Sequence, residues 1–344
     1  VVCNAGAVRM ATVCAHGEPV SGVTQQDDQG DQAMSLKTSR GRTAAVAAVS
    51  VLALLAAACG GGDSDDSGSG DGGSGGGSDS ANISTTAVLD GDEWILNGEK
   101  IYVTDGDRCD TLVVWATLDK SLGKAAIKSF IVEKGTPGCE VVRLEHKLGI
   151  RASDTAAITF TDCRIPRSNL LGTEEVATDA EGRKKAFGGV MQTFDNTRPP
   201  VAAMAIGTSR AALDMTRELL KEEGVELKFD KKSANLSALE ADLARMEAEW
   251  SAARLLVLKA AWMADNKQPN SLEASMCKAK AGRVGNAITL KCVAICQSLG
   301  YSEDRLLEKF ARDSKILDIF EGTQQIQQLI VARRVLGKSS SELR

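Results

Sequence analysis

Leu236-Ser237-Ala238-Leu239-Glu240-Ala241-Asp242-Leu243-Ala244-Arg245-Met246-Glu247-Ala248-Glu249-Trp250-Ser251-Ala252-Ala253-Arg254-Leu255-Leu256-Val257 sets the architecture of the C-terminal half. Leu236, Leu239, Leu243, Met246, Trp250, Ala253 and Val257 recur at alternating spacings of three and four, which winds them into one apolar stripe on an α-helix. Such a stripe must be buried against other elements, so Met246 and Trp250 are read as core. Long helices also fit Lys184–Glu223, Ser271–Leu299, Asp304–Ile319 and Thr323–Leu336. Pro199 and Pro200 are expected to start or kink the first of these. Short joins between long amphipathic helices predict an antiparallel bundle over residues 182–338.

Upstream of the bundle the pattern becomes short apolar runs broken by turn residues. Ile83–Leu89, Glu93–Leu96, Lys100–Thr104, Thr111–Leu118, Ile127–Glu133, Glu140–Leu144 and Ala156–Asp162 read as strands. Asp90-Gly91 and Asn97-Gly98 lie between such runs and are strong hairpin signals. Residues 81–172 therefore form an antiparallel β domain, and the fold class is α+β: an antiparallel β domain followed by an antiparallel helical bundle.

Residues 1–33 show no sustained periodicity and read as a disordered extension. Residues 34–59 have the form of a lipoprotein-like signal segment. Lys37, Arg40 and Arg42 precede an alanine- and leucine-rich run that ends in Leu55-Ala56-Ala57-Ala58-Cys59-Gly60, with Cys59 as the lipidated residue. A buried alanine-rich helix is the other reading of that run. Residues 60–80 are glycine, serine and aspartate, a composition that buries too little apolar area to offset its chain entropy and behaves as a linker.

Bulk charge narrows the function. A net charge of -5 argues against nucleic-acid binding through a basic surface. Nine cysteines are present, none in C-x-x-C spacing; Cys292 and Cys296 lie one helical turn apart, but two histidines give them little company for a metal site. No metal is expected, and buried small hydrophobes are the better reading of the cysteines. With His16 and His146 as the sole histidines, acid–base chemistry has to come from carboxylates. The stretch Ile316-Leu317-Asp318-Ile319-Phe320-Glu321-Gly322-Thr323-Gln324-Gln325 offers one. Glu321 follows an apolar run and precedes a glycine and a helix-capping threonine. A carboxylate in poorly solvated surroundings has a raised pKa and is suited to taking a proton from carbon. From spacing alone, a surface or capping glutamate between two helices is an equal reading.

Several segments in order resemble the acyl-CoA dehydrogenase family: Gly77-Ser78-Asp79 with Ile83-Ser84-Thr85-Thr86-Ala87; Leu96-Asn97-Gly98-Glu99-Lys100-Ile101-Tyr102-Val103-Thr104; Lys147-Leu148-Gly149-Ile150-Arg151-Ala152-Ser153-Asp154-Thr155; Ile165-Pro166 through Asn169-Leu170-Leu171-Gly172; and the Glu321 stretch. The resemblance covers the family's middle β domain and C-terminal helical domain; the family's N-terminal helical domain has no counterpart, and the signal-like segment and linker stand in its place. It implies FAD-dependent α,β-dehydrogenation of an acyl-CoA thioester, as in fatty-acid β-oxidation. Glu321 is then the base, and its backbone N–H with a flavin ribityl hydroxyl polarises the thioester carbonyl. Hydride goes to flavin, because no protein side chain accepts one.

By the same resemblance Tyr102 stacks against the flavin, and Thr104, Thr323 and Gln325 hydrogen-bond FAD. Gln297 and Gly300 fall where a glycine-rich turn contacts a neighbouring subunit's FAD. Ser78, Asp195 and Arg198 belong to the substrate site. The bland readings are a strand aromatic for Tyr102 and a solvated helix-start pair for Asp195 and Arg198. Two departures stand out: Glu223-Gly224-Val225-Glu226-Leu227 replaces an Arg-x-x-Phe-Gly segment that reaches FAD pyrophosphate, and Tyr301-Ser302-Glu303 stands where more glycine is expected.

The implied partners are electron-transfer flavoprotein as electron acceptor and further copies of the chain, as dimer or tetramer, with membrane contact through the N-terminal segment alone. The implied location is cytoplasmic for the dehydrogenase module, and the cell envelope if the signal is used. The competing class is a non-catalytic lipid-anchored envelope protein with a helical binding or oligomerisation module.

Overall fold

The computed structural model describes residues 2–4, 83–177, 179–230, 232–338 and 342. The expectations for residues 34–59, with Cys59, and for the linker 60–80, with Ser78, lie outside the described residues. So does that for 1–33, apart from β1 (Val2–Asn4), which forms a strand rather than an irregular extension.

The strands that follow are β2 (Thr86–Asp90), β3 (Glu93–Thr104), β4 (Thr111–Thr117), β5 (Ile127–Glu133), β6 (Cys139–Leu144), β7 (Thr155–Pro166) and β8 (Leu170–Leu171). They form one sheet in the order β6-β7-β3-β2-β4-β5-β8, with β1 pairing β4. Pairing is antiparallel apart from a single parallel contact, Thr86 with Thr117. Asp90-Gly91 makes the expected hairpin: Asp90 pairs with Glu93 and Gly91 sits at φ +63°, which costs glycine little.

Asn97-Gly98 does not turn the chain. β3 runs straight through it, with a register shift against β7 between Leu96 and Gly98. The reason lies across the sheet. The Asn97 amide donates to Asp162 Oδ1 at 3.1 Å and its oxygen accepts from the Asp162 N–H at 2.8 Å, which holds the pair as a bulge. β2, expected from Ile83, starts later, at Thr86. One face buries Trp94, Leu96, Val114, Phe130, Ile158 and Phe160, with Trp94 edge-on to Phe130 at 5.3 Å.

The helices are α1 (Ala180–Glu222), α2 (Ala238–Asp265), α3 (Ser271–Tyr301), α4 (Leu307–Ile319) and α5 (Gln324–Leu336). α3 is the central rod and packs on each of the other four. Its buried face carries Cys277, Val284, Ile288 and Cys292, so Cys292 and Cys296 lie in the core as small hydrophobes. Pro199 and Pro200 neither start nor end α1, which continues through both. Prolines have no N–H, so the carbonyls of Asp195 and Asn196 lose their usual helical donors there. α2 begins with a capping box, Ser237 and Glu240 bonding each other's backbone, which the Ser-x-x-Glu spacing could have signalled. Met246 is buried, whereas Trp250 is half-exposed, with its indole N–H on Ile206 O and Arg210 over its ring at 5.0 Å. α4 starts at Leu307, three residues later than expected.

The 148–150 loop joins sheet to bundle. The Ile150 N–H donates to Asp313 Oδ1 at 2.6 Å, and Arg312 Nη1 donates to Leu148 O at 3.2 Å. Gly149 lies so close to α4 that a Cβ would sit 2.3 Å from Arg312 O. Trp115 of β4 meets Phe194 of α1 edge-on at 5.8 Å, a second bridge between the two parts.

Candidate active site

Helix α4 ends at Ile319 and is capped by Phe320, whose N–H still reaches Ile316 O. The chain then reverses through Glu321 at φ +58° and Gly322 at φ +87°, and Thr323 caps α5 by accepting the Ile326 N–H. A glutamate in the left-handed region is uncommon and costs strain unless its surroundings hold it there. Gly322 suits its position because φ +87° is a conformation that other side chains rarely adopt.

Glu321 is 2% exposed. Its Oε2 accepts from the Thr197 hydroxyl at 2.9 Å, so it is neither a surface nor a capping glutamate. Thr197 also lies 3.1 Å from Phe194 O on its own helix. Next to it, Arg198 is 1% exposed, pairs with Asp195 Oδ1 at 2.7 Å and donates to Ser275 Oγ at 3.3 Å. The solvated helix-start reading of Asp195 and Arg198 is thus overturned: both lie inside α1, and packing of α1 on α3 removes the arginine from water. Burial pushes the Asp195 carboxyl up and the Arg198 guanidinium down, each opposed by its partner; Arg198 also feels the Glu321 charge. The buried Arg198 Nε has no hydrogen-bond partner among the described residues. One small volume therefore holds a carboxylate, a hydroxyl donor and a paired cation.

Tyr102 stands elsewhere, on β3. It is 56% exposed at φ +58°, in the second bulge of that strand, between Lys100 and Val103. A bulge re-aims a side chain out of the strand's alternation, which here turns an aromatic ring outward. Thr104 closes the same strand, half-buried and paired with Thr155. Thr323 is half-buried at the start of α5 and Gln325 is exposed one residue into it. Gln297 is exposed and lies at φ +49°, ψ -124°, a break inside α3. Gly300 is buried, and a Cβ there would meet Val293 O at 2.4 Å. The structure thus brings Asp195, Arg198 and Glu321 together and leaves Tyr102, Gln325 and Gln297 on open surface.

Sequence reasoning passed over Thr197, Lys278 and Gln327. Lys278 is 1% exposed and its ammonium donates to Asp318 O at 3.0 Å and Gly322 O at 2.8 Å. Gln327 donates to Glu321 O at 3.1 Å and Gly322 O at 3.3 Å. The available signal was spacing: Lys278 falls on the apolar face of α3, one turn from Ala274 and next to Cys277.

Comparison with known proteins follows the same two blocks. Residues 73–163 match the family model for the acyl-CoA dehydrogenase middle domain, and residues 187–336 match the model for its C-terminal domain. An acryloyl-CoA reductase (NADH) from Anaerotignum propionicum is 37% identical over 261 residues, 75% of this chain and 63% of that protein. The short-chain specific acyl-CoA dehydrogenase of Bos taurus mitochondria is 38% identical over 259 residues, 75% of this chain and 60% of the relative. Butyryl-CoA dehydrogenase from Megasphaera elsdenii superposes with a TM-score of 0.65 at 35% identity, covering 73% of this chain and 63% of that one. The chain thus spans about three fifths of the length of the relatives it matches. Matched in sequence and fold across both blocks, the chain belongs to the acyl-CoA dehydrogenase family, whose middle and C-terminal domains it carries.

Proposed function

We propose that the protein catalyses FAD-dependent α,β-dehydrogenation of an acyl-CoA thioester, with Glu321 as the base. The observation that supports this reading is the buried Glu321 carboxylate, held by Thr197 in the strained turn between α4 and α5. An α C–H beside a thioester is too weakly acidic for water to deprotonate at a useful rate. A carboxylate fixed in place and shielded from water is a far better base. Thr197 orients it, and Arg198, paired with Asp195, sets a fixed, net-neutral ion pair whose cation feels the Glu321 charge. Run in reverse, the same carboxyl group returns the proton, so one site serves dehydrogenation and reduction alike.

The residues present fit a flavin. Tyr102 offers an outward aromatic face at a strained bulge, and Thr104, Thr323 and Gln325 offer polar groups, two of them at the start of a helix, where anions are favoured. When bound, FAD supplies the hydride acceptor for the β carbon. Gln297 and Gly300 on α3 are proposed to face a neighbour's cofactor, and Ser78 to extend the substrate site.

Self-association into a dimer or tetramer is supported by Leu255, Leu258 and Trp262, exposed at helical spacing along α2. Electron-transfer flavoprotein is the proposed electron acceptor. Among the described residues no helix is long and apolar enough to cross a membrane. We place the dehydrogenase module in the cytoplasm; fatty-acid labelling at Cys59 would move it to the envelope.

The test is Glu321→Gln. It is expected to leave flavin bound while bleaching of flavin absorbance by butyryl-CoA slows by about 10²–10⁴-fold, the usual worth of a general base. Unchanged bleaching refutes the assignment.

A further inference from the structure

We propose that Lys278 is the positioning residue of the Glu321 carboxylate, its buried ammonium clamping the carbonyls on either side of the Glu321 turn. The inference rests on Glu321 being the base.

Ammonium groups are expensive to bury, and one that is retained needs strong acceptors. Lys278 finds them in Asp318 O and Gly322 O, at 3.0 and 2.8 Å. Asp318 belongs to the last turn of α4, where carbonyls lack helical donors and carry the negative end of the helix dipole. Gly322 is the first residue after Glu321. One cation therefore ties position 318 to position 322 and closes a loop around the base.

The clamp has something to oppose. Glu321 at φ +58° would relax to an ordinary backbone conformation if released, which would swing its carboxylate away from Thr197. Gln327 also grips Glu321 O and Gly322 O, but it sits on α5, the helix the turn itself leads into, and so links the turn only to its own continuation. Lys278 anchors the turn to α3, the rod against which every other helix packs. It touches no reacting atom and acts through the geometry of Glu321.

The experiment uses the full chain with Lys278→Met, which keeps length and loses charge, and Lys278→Arg, which keeps charge. Two quantities are read: amide hydrogen exchange at residues 318–324 in the protein alone, and exchange of the α proton of butyryl-CoA with deuterated water, per bound FAD. Lys278→Met is expected to raise amide exchange in that segment and to slow saturated α-proton exchange by about 100-fold, the scale of an ångström-sized misplacement. Half-saturation by butyryl-CoA should move less than about twofold, and Lys278→Arg should recover most of the rate.

Wild-type α-proton exchange in folded Lys278→Met overturns the proposal. So does loss of amide protection spread evenly over the bundle or, where Lys278→Met fails to fold, wild-type α-proton exchange in Lys278→Gln, which also removes the charge. A Glu321→Gln control separates the two claims: if it exchanges the α proton like wild type, the base assignment fails whatever Lys278 does.

Discussion

Replacing Gln297 by glycine should stabilise the protein, although glycine inside a helix ordinarily weakens it. Gln297 lies within α3 at φ +49°, ψ -124°, a backbone conformation that side chains avoid and glycine adopts freely. Holding a non-glycine residue in such a region costs about 1–3 kcal/mol. Its side chain is exposed and makes no core contact that the change would remove. Against the relief stands the greater freedom of glycine in the unfolded chain, about 0.5–1 kcal/mol. The net gain is about 1 kcal/mol, a rise in Tm of roughly 2–4 °C for a protein of this size. Thermal and urea unfolding followed by far-ultraviolet circular dichroism would measure it. Ala294→Gly is the control: Ala294 is exposed on the same helix in regular geometry and should lose about 1 kcal/mol. Equal losses in both variants would refute the argument, because they would mean that Gln297 carries no strain.

Two further outcomes follow from Lys100, half-buried on β3, and from the buried Gly149. Burial pulls the Lys100 ammonium down to about 8 from an ordinary 10.5. Below about pH 8 its charge in the folded state is a cost, and between about 8 and 10.5 the unfolded chain holds the extra proton, so stability should rise with pH through that window. Lys100→Met should remove this rise and add on the order of 1 kcal/mol at pH 7; urea midpoints at pH 7, 8 and 9.5 would show it, and an unaltered slope would count against it. Gly149→Ala forces a Cβ to 2.3 Å from Arg312 O and should cost roughly 1–3 kcal/mol, with loss of the Ile150–Asp313 contact detectable as faster exchange of the Ile150 amide. Unchanged exchange there would show that the loop docks differently.

Much of the fold could be read along the chain because hydrophobic period is a local property. The stripe read from Leu236 to Val257 became the buried face of α2 from Leu239 onward, Leu236 lying before the helix starts, and the Asp90-Gly91 turn formed as read. Asn97-Gly98 misled because its outcome depends on Asp162, a residue far along the chain whose position no local pattern reveals. The same holds for the prolines of α1, which packing carries inside a continuous helix against their usual preference.

At the site the division is sharper. Sequence alone determined which carboxylate to suspect, since the apolar run before Glu321 and the glycine and threonine after it are contiguous. It also placed Asp195 and Arg198 in one segment. Only the tertiary structure decided that Glu321 is buried against Thr197, that Arg198 is an interior cation, and that Lys278 reaches across from α3 to hold the turn. Those contacts join residues 40 or more positions apart, and their energies come from desolvation and geometry, which exist only once the helices have packed.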